Sequence, residues 1–159
     1  MNKTLFSSKG LTLLSWLFWM AIMVQFSTQR WGGEQTQSIL TALLNLSVPA
    51  LLNGLSPEQL HTLNFIVRKG AHLTEYAILT TLCFTMGTFG FQKPWKSVLP
   101  FAVLGSALFA ITDEIHQNFV PNRGASPIDV LIDITGALIA VSLISLWKTR
   151  FQPNPPQNL

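Results

Sequence analysis

Asp113-Glu114-Ile115-His116-Gln117-Asn118-Phe119-Val120-Pro121-Asn122-Arg123-Gly124-Ala125-Ser126-Pro127-Ile128-Asp129-Val130-Leu131-Ile132-Asp133 is the stretch on which the reading of this chain turns. It holds four of the seven acidic residues, one of three histidines and one of four arginines, and apolar runs flank it on both sides. Such runs have the length and composition of membrane spans, where ionisable groups are costly unless they are used. The stretch therefore reads as one wall of a polar site at a membrane face.

Working outward, the run before it covers about Ser97 to His116 and the run after it Pro127 to Trp147. A further run covers Ala71 to Phe91. Each reaches about 30 Å as a helix, the thickness of a hydrocarbon core. Leu11 to Phe26 is a shorter uncharged run behind Lys3 and Lys9, and it resembles a signal peptide. No Ala-x-Ala-like site follows it, and Gln29-Arg30-Trp31 is bulky and polar, so it reads as a retained first span. Between the first two spans lies the longest connection, residues 27–65. Within it, Gln35 to Leu46 is expected to form a short amphipathic helix. Ser56-Pro57-Glu58-Gln59 marks another helix start, with Ser as cap, Pro first and Gln three residues on. That helix is expected to lie along the interface, with continuation into the next span left open. The fold expected is an all-α integral membrane protein: a single domain over residues 1–150, four spans in an antiparallel bundle, an interfacial helical segment between the first and second, and a disordered tail, 151–159.

Composition agrees. Hydrophobic residues make up 48% of the chain and charged ones 11%, against roughly 25% charged in soluble domains. The net charge of +3 is not gathered into basic runs interleaved with aromatics, so nucleic acid is not an expected partner. The single cysteine, Cys83, excludes an intrachain disulfide and reads as a small hydrophobe. With the N-terminus in the cytoplasm, Lys3, Lys9, Lys93, Lys96, Lys148 and Arg150 lie inside, while Arg30, Arg68, Lys69 and Arg123 lie outside. The inner loops carry no acid, so both termini are assigned to the cytoplasm.

Antiparallel packing would gather the ionisable groups at one face. Arg68, Lys69, His72 and Glu75 begin the second span, Asp113, Glu114 and His116 end the third, and Asp129 and Asp133 begin the fourth. At about 100° per residue, Lys69, His72 and Tyr76 share a face with Glu75 at its edge. Asp113, His116 and Gln117 share another, with Glu114 turned away, and Asp129, Asp133 and Gly136 line a third. Asp133 lies roughly 9 Å along the axis from Pro127, too deep for bulk water. Pairing with Lys69, Arg123 or a histidine would offset the cost of its charge. Gly136 and Ala137 would permit close packing beneath it.

These residues resemble the signature of the VanZ-like membrane proteins: Arg68-Lys69-x-x-His72-x-x-Glu75-Tyr76, then Asp113-Glu114-x-His116-Gln117, then Pro121-x-Arg123, then Asp129-x-x-x-Asp133-x-x-Gly136. The resemblance covers about residues 65–147 and implies a small multi-span protein of the bacterial cell envelope. The family is named for a protein associated with resistance to the glycopeptide antibiotic teicoplanin. No particular reaction is implied.

Two histidines, four carboxylates and two cations at one end exceed what an interhelical packing network needs. One reading is an enzyme, a hydrolase or transferase acting on a lipid-linked envelope substrate in the bacterial cytoplasmic membrane. His72 or His116 would act as general base or acid, oriented by Glu75 or Asp113, with Asp129 and Asp133 tuning the charges. Lys69 and Arg123 would hold an anionic group, with Tyr76 and Gln117 contacting substrate. Ser126 reads as a helix cap, not a nucleophile. A divalent metal suits the oxygen-rich ligand set, but no His-Glu-x-x-His motif is present and the adjacent cations oppose it. The second reading is a non-enzymatic binder of membrane lipid or amphiphile. Ion movement is poorly served by four short spans with a one-sided site.

Overall fold

Ser56 starts the longest helix by the reciprocal bonds its sequence allows: the Gln59 N–H donates to its hydroxyl, and its own N–H donates to the Gln59 side chain at 2.8 Å. The helix, α4, then runs unbroken over Pro57–Thr85 and continues as a π-helical turn, Met86–Gly90. The computed structural model describes residues 8–28, 32–121 and 124–151. Around α4 stand α1 (Ser8–Phe26), α2 (Gly33–Ser47), the one-turn α3 (Pro49–Gly54), α5 (Trp95–Gln117) and α6 (Pro127–Phe151). No strand occurs among the described residues. Arg123 and the tail after Phe151 lie outside them, as do Lys3 and Gln29-Arg30-Trp31.

Helix α4 touches α1, α2, α5 and α6. Tyr76 meets Phe109 and Thr80 meets Ser106, so residue numbers rise along α4 as they fall along α5. Lys69 meets Asp129 and His72 meets Asp133, so they rise together along α4 and α6. Small residues set these approaches. Helix α5 turns Ala102, Ser106 and Ala110 inward, α6 turns Gly136, Ala137 and Ala140 inward, and large apolar residues such as Phe101, Leu104, Leu131 and Leu143 stay outside. Between helices in lipid there is no hydrophobic gain from burying Leu, so close packing by small residues decides which face is inner. At Gly136 a Cβ would fall inside contact distance of the Leu73 carbonyl oxygen.

Among the described residues three helices, α1, α5 and α6, are long and apolar enough to cross a membrane. Helix α4 is not among them, although a second span was expected over Ala71 to Phe91. The reason is its position: a helix flanked by four others need not present an apolar surface to lipid, and it carries Arg68, Lys69, His72 and Glu75 on its own turns. At 29 residues it is about 43 Å long, so the capped interfacial helix and the expected span are one piece.

Candidate functional site

The C-terminal end of α5 supplies three inward polar residues. Asp113, Glu114 and Gln117 are buried, continuing the stripe of Ala102, Ser106 and Ala110. Gln117 donates from Nε2 to Asp113 Oδ2 at 3.0 Å. Glu114 accepts the Ser126 N–H on Oε2 at 2.7 Å and so anchors the residue before Pro127. The Ser126 carbonyl accepts the first helical N–H bonds, from Asp129 and Val130. A carboxylate at a helix N-terminus is favourable because the unpaired N–H groups carry partial positive charge there. The first turn of α6 holds another, Asp129, which is ion-paired with Lys69 of α4.

One turn deeper on α6, Asp133 has no exposed surface and faces His72, with Nδ1 to Oδ1 at 3.4 Å. Neither Asp133 oxygen has a hydrogen-bond partner among the described residues, nor do His72 Nδ1, the Tyr76 hydroxyl or Glu114 Oε1. Buried polar atoms left in this state hold ordered water or a ligand group in most proteins. Tyr76 is itself fully buried, its ring tilted against Phe109 at 6.2 Å between centroids.

The N-terminal helix closes the site from the other side. Ser27, just past the end of α1, is buried and donates its hydroxyl to Asp113 Oδ1. Trp19 donates from Nε1 to the Glu75 carbonyl at 3.1 Å, fixing α1 against α4. Helix α2 is tied to α4 by Asn64, whose Nδ2 donates to the Gly33 carbonyl at 3.0 Å. A Cβ at Gly33 would stand 3.0 Å from Arg68 Nη1, the tip of a flexible side chain. Among these helices lies a cavity of about 270 Å³ whose wall includes Phe26, Ser27, Thr36, Arg68, His72 and Glu75.

The structure thus brings together Lys69 with Asp129, His72 with Asp133, and Asp113 with Gln117, and it sets Glu75 beside His72 on the cavity wall. His116 is not brought in: it is exposed, one position off the buried face of α5. Glu114, expected to turn away, is inside instead. The polar residues 113, 116 and 117 centre the expected face, whereas the small-residue stripe centres the observed one on 110, 113, 114 and 117. The cation on the cavity wall is Arg68; Lys69 is taken up by Asp129. Arg123 lies outside the described residues. Ser27 and Thr36 carried no signal in the sequence beyond lying in a long connection. Among the described residues no group of three or more His, Cys, Asp or Glu side chains is arranged to hold a metal ion.

No curated protein and no solved structure matches the chain. A family model described as VanZ/LLP1 does match it, over residues 12–148, so the likeness extends from the expected 65–147 back into α1, the helix that Ser27 ties to Asp113. By that match, across most of its length and all of the candidate site, the chain belongs to the VanZ/LLP1 family.

Proposed function

We propose that this protein is a four-span enzyme of the bacterial cytoplasmic membrane, performing acid–base chemistry on an anionic, lipid-linked envelope substrate at the extracytoplasmic face. The observation that carries the reading is the setting of His72. Its Nδ1 is buried 3.4 Å from the fully buried Asp133, while the ring also stands on the wall of the 270 Å³ cavity. A carboxylate at one nitrogen orients an imidazole and stabilises its protonated form, leaving the other nitrogen for the reacting group. His72 then takes a proton from water or a substrate hydroxyl and returns it to the leaving group. Arg68, on the same wall, offers its planar fork to a phosphate or carboxylate. Glu75 is the second proton-carrying group there.

The apolar length of α4 from Ala71 serves as the fourth span, shielded by its neighbours. The residue pairings described above support an antiparallel bundle. The lysine-bearing opposite end faces the cytoplasm with both termini, following the bias of basic residues to the inner side. The association of the VanZ family name with teicoplanin resistance agrees with an envelope substrate.

Lipid and envelope-precursor mass spectra would be compared from cells making wild-type protein, His72→Gln at equal protein level, and none. A mass shift present with the wild type and reduced about 10²–10⁴-fold by His72→Gln is expected. Identical spectra for wild type and variant would overturn the enzyme. Single cysteines at Ala125 and Gln92, in a Cys83→Ser background, test orientation. A membrane-impermeant maleimide should reach the first in intact cells and the second only after permeabilisation; the reverse pattern inverts the topology.

A further inference from the structure

The carboxylates at the site end are held unequally. Asp113 accepts on both oxygens, from Ser27 and Gln117, and Asp129 is ion-paired with Lys69. Asp133 has only His72, at 3.4 Å, and no hydrogen bond on either oxygen among the described residues. Deeper in the bundle the polar groups are matched: the Thr80 hydroxyl donates to the Tyr76 carbonyl at 2.8 Å and pairs with the Ser106 hydroxyl at 2.7 Å. Six buried side-chain atoms among the described residues lack a partner, and five of them belong to His72, Tyr76, Glu114 and Asp133. Unmatched donors and acceptors gathered at one level of an otherwise matched bundle mark the place of a bound polar guest.

The geometry names two of the groups that hold it. Tyr76 lies one turn past His72 on the same face of α4. Its ring packs in a cluster with Ala110 of α5, against which Val130 of α6 also rests. Asp113 and Asp133 follow those two residues by three positions, on the same helix faces. A long side chain on a helix leans back toward the N-terminus, so the Tyr76 hydroxyl is directed to the level of His72 and Asp133. Asp113 and Asp133 are the carboxyls whose charge bears most on it. Phenol and Asp133 nevertheless share no direct hydrogen bond. A guest between them must accept from the phenol, donate to the carboxylate, and fit where neither residue has any exposed surface. Water meets all three conditions. An anion would be repelled by Asp133, and a metal ion lacks converging ligands among the described residues.

We propose that an ordered internal water bridges the Tyr76 hydroxyl to Asp133, and that Tyr76 is a positioning residue for His72 through this bridge. This rests on the reading of His72 as the acid–base group and names what holds its carboxylate in place. The phenol donates to the water, and the water donates to an Asp133 oxygen. Only hydrogen bonds are made here; the proton exchanged with substrate stays at the other nitrogen of His72.

Tyr76 is the only tyrosine in the chain, so an isotope label at tyrosine Cζ gives a single carbon resonance. The full-length protein in vesicles of phosphatidylethanolamine and phosphatidylglycerol is read by solid-state NMR, with magnetisation passed from water protons to that carbon. Rapid transfer is expected in the wild type. It should be lost in Asp133→Leu, where methyl groups replace the carboxylate, and a single sharp Tyr76 line shows that this variant is folded. Tyr76→Phe should lower the His72-dependent mass shift about tenfold, the equivalent of one hydrogen bond to a charged group. It should also move the ring-nitrogen resonance of His72, which Phe109→Leu, a packing change against the same ring, should leave in place. No transfer in the wild type, or transfer that survives Asp133→Leu, would overturn the bridge. A mass shift and a His72 resonance both unmoved by Tyr76→Phe would overturn the positioning role, and the acid–base reading would stand without it. Water at Tyr76 with no His72-dependent mass shift would remove the acid–base reading and the positioning role together.

Discussion

Where α1 begins and α6 finishes, Lys9 lies over Phe91 at 4.7 Å, Lys96 over Trp95 at 5.6 Å, and Lys148 over Phe89 and Trp147 at 6.0 and 5.2 Å. At the other end Lys69 pairs with Asp129, His72 faces Asp133, and Ser27 and Gln117 both donate to Asp113. The first arrangement puts each charge on a long stem over an aromatic ring, which costs little desolvation. The second buries charges inside the bundle, where removing water is expensive and only specific partners offset it. On the proposed reading, one end anchors the protein and the other is organised for chemistry.

The largest effect that separates the two is expected at Asp133. On the proposed reading, Asp133→Asn keeps the shape but removes the carboxyl group that orients His72, so turnover should fall on the order of tenfold to a hundredfold. The thermal midpoint should hold or rise, because a buried carboxylate is exchanged for a neutral amide. Turnover by product mass spectrometry and melting in detergent check both halves. Retained turnover with a lowered midpoint would make Asp133 a packing element and erase the contrast between the ends.

Ser27→Ala comes next. It removes a buried hydroxyl that donates to a carboxylate, a bond of about 1.5–3 kcal/mol, and should lower stability by that amount in denaturant or thermal titration. Loss below about 0.5 kcal/mol would mean α1 is not fastened to the site end by this bond. Glycine pairs sharpen the packing argument further. Gly136→Ala presses a Cβ against the Leu73 backbone and should cost about 1–3 kcal/mol. Gly105→Ala meets nothing within 4 Å and should gain about 0.5–1 kcal/mol from helix propensity. Equal signs would show that small residues do not set the α4–α6 approach.

These pairs also explain what could be read in advance. The runs that became α1, α5 and α6, the Ser56–Gln59 cap and the short helix in the long connection were all legible, since apolar length, capping chemistry and helical spacing act locally. The gathering of polar groups at one end followed from their positions near the ends of the runs. The rotation of α5 did not follow from the polar residues. Polar residues near the end of an apolar run can turn outward, as His116 does, so they are weak markers of the inner face; Ala102, Ser106 and Ala110 at four-residue spacing mark it directly. Ser27, Thr36 and Arg68 reach one cavity from three elements, a contact between distant parts of the chain that no local pattern encodes.

The smallest energetic effect is expected at the anchoring end, and it carries a separate consequence for orientation. Lys96→Gln/Lys148→Gln removes cation–ring contacts worth about 0.5–1 kcal/mol each, so stability should shift only slightly and turnover per correctly inserted molecule should not change. In the proposed topology, however, six basic residues lie inside and four outside; losing two inner ones removes the difference that directs insertion. A fraction of the chains should then insert reversed, read as protection of a cysteine at Ala125 from an impermeant maleimide in intact cells. If labelling at Ala125 stays complete while turnover falls, these lysines contribute to the site itself, and the division between an anchoring end and a reacting end fails.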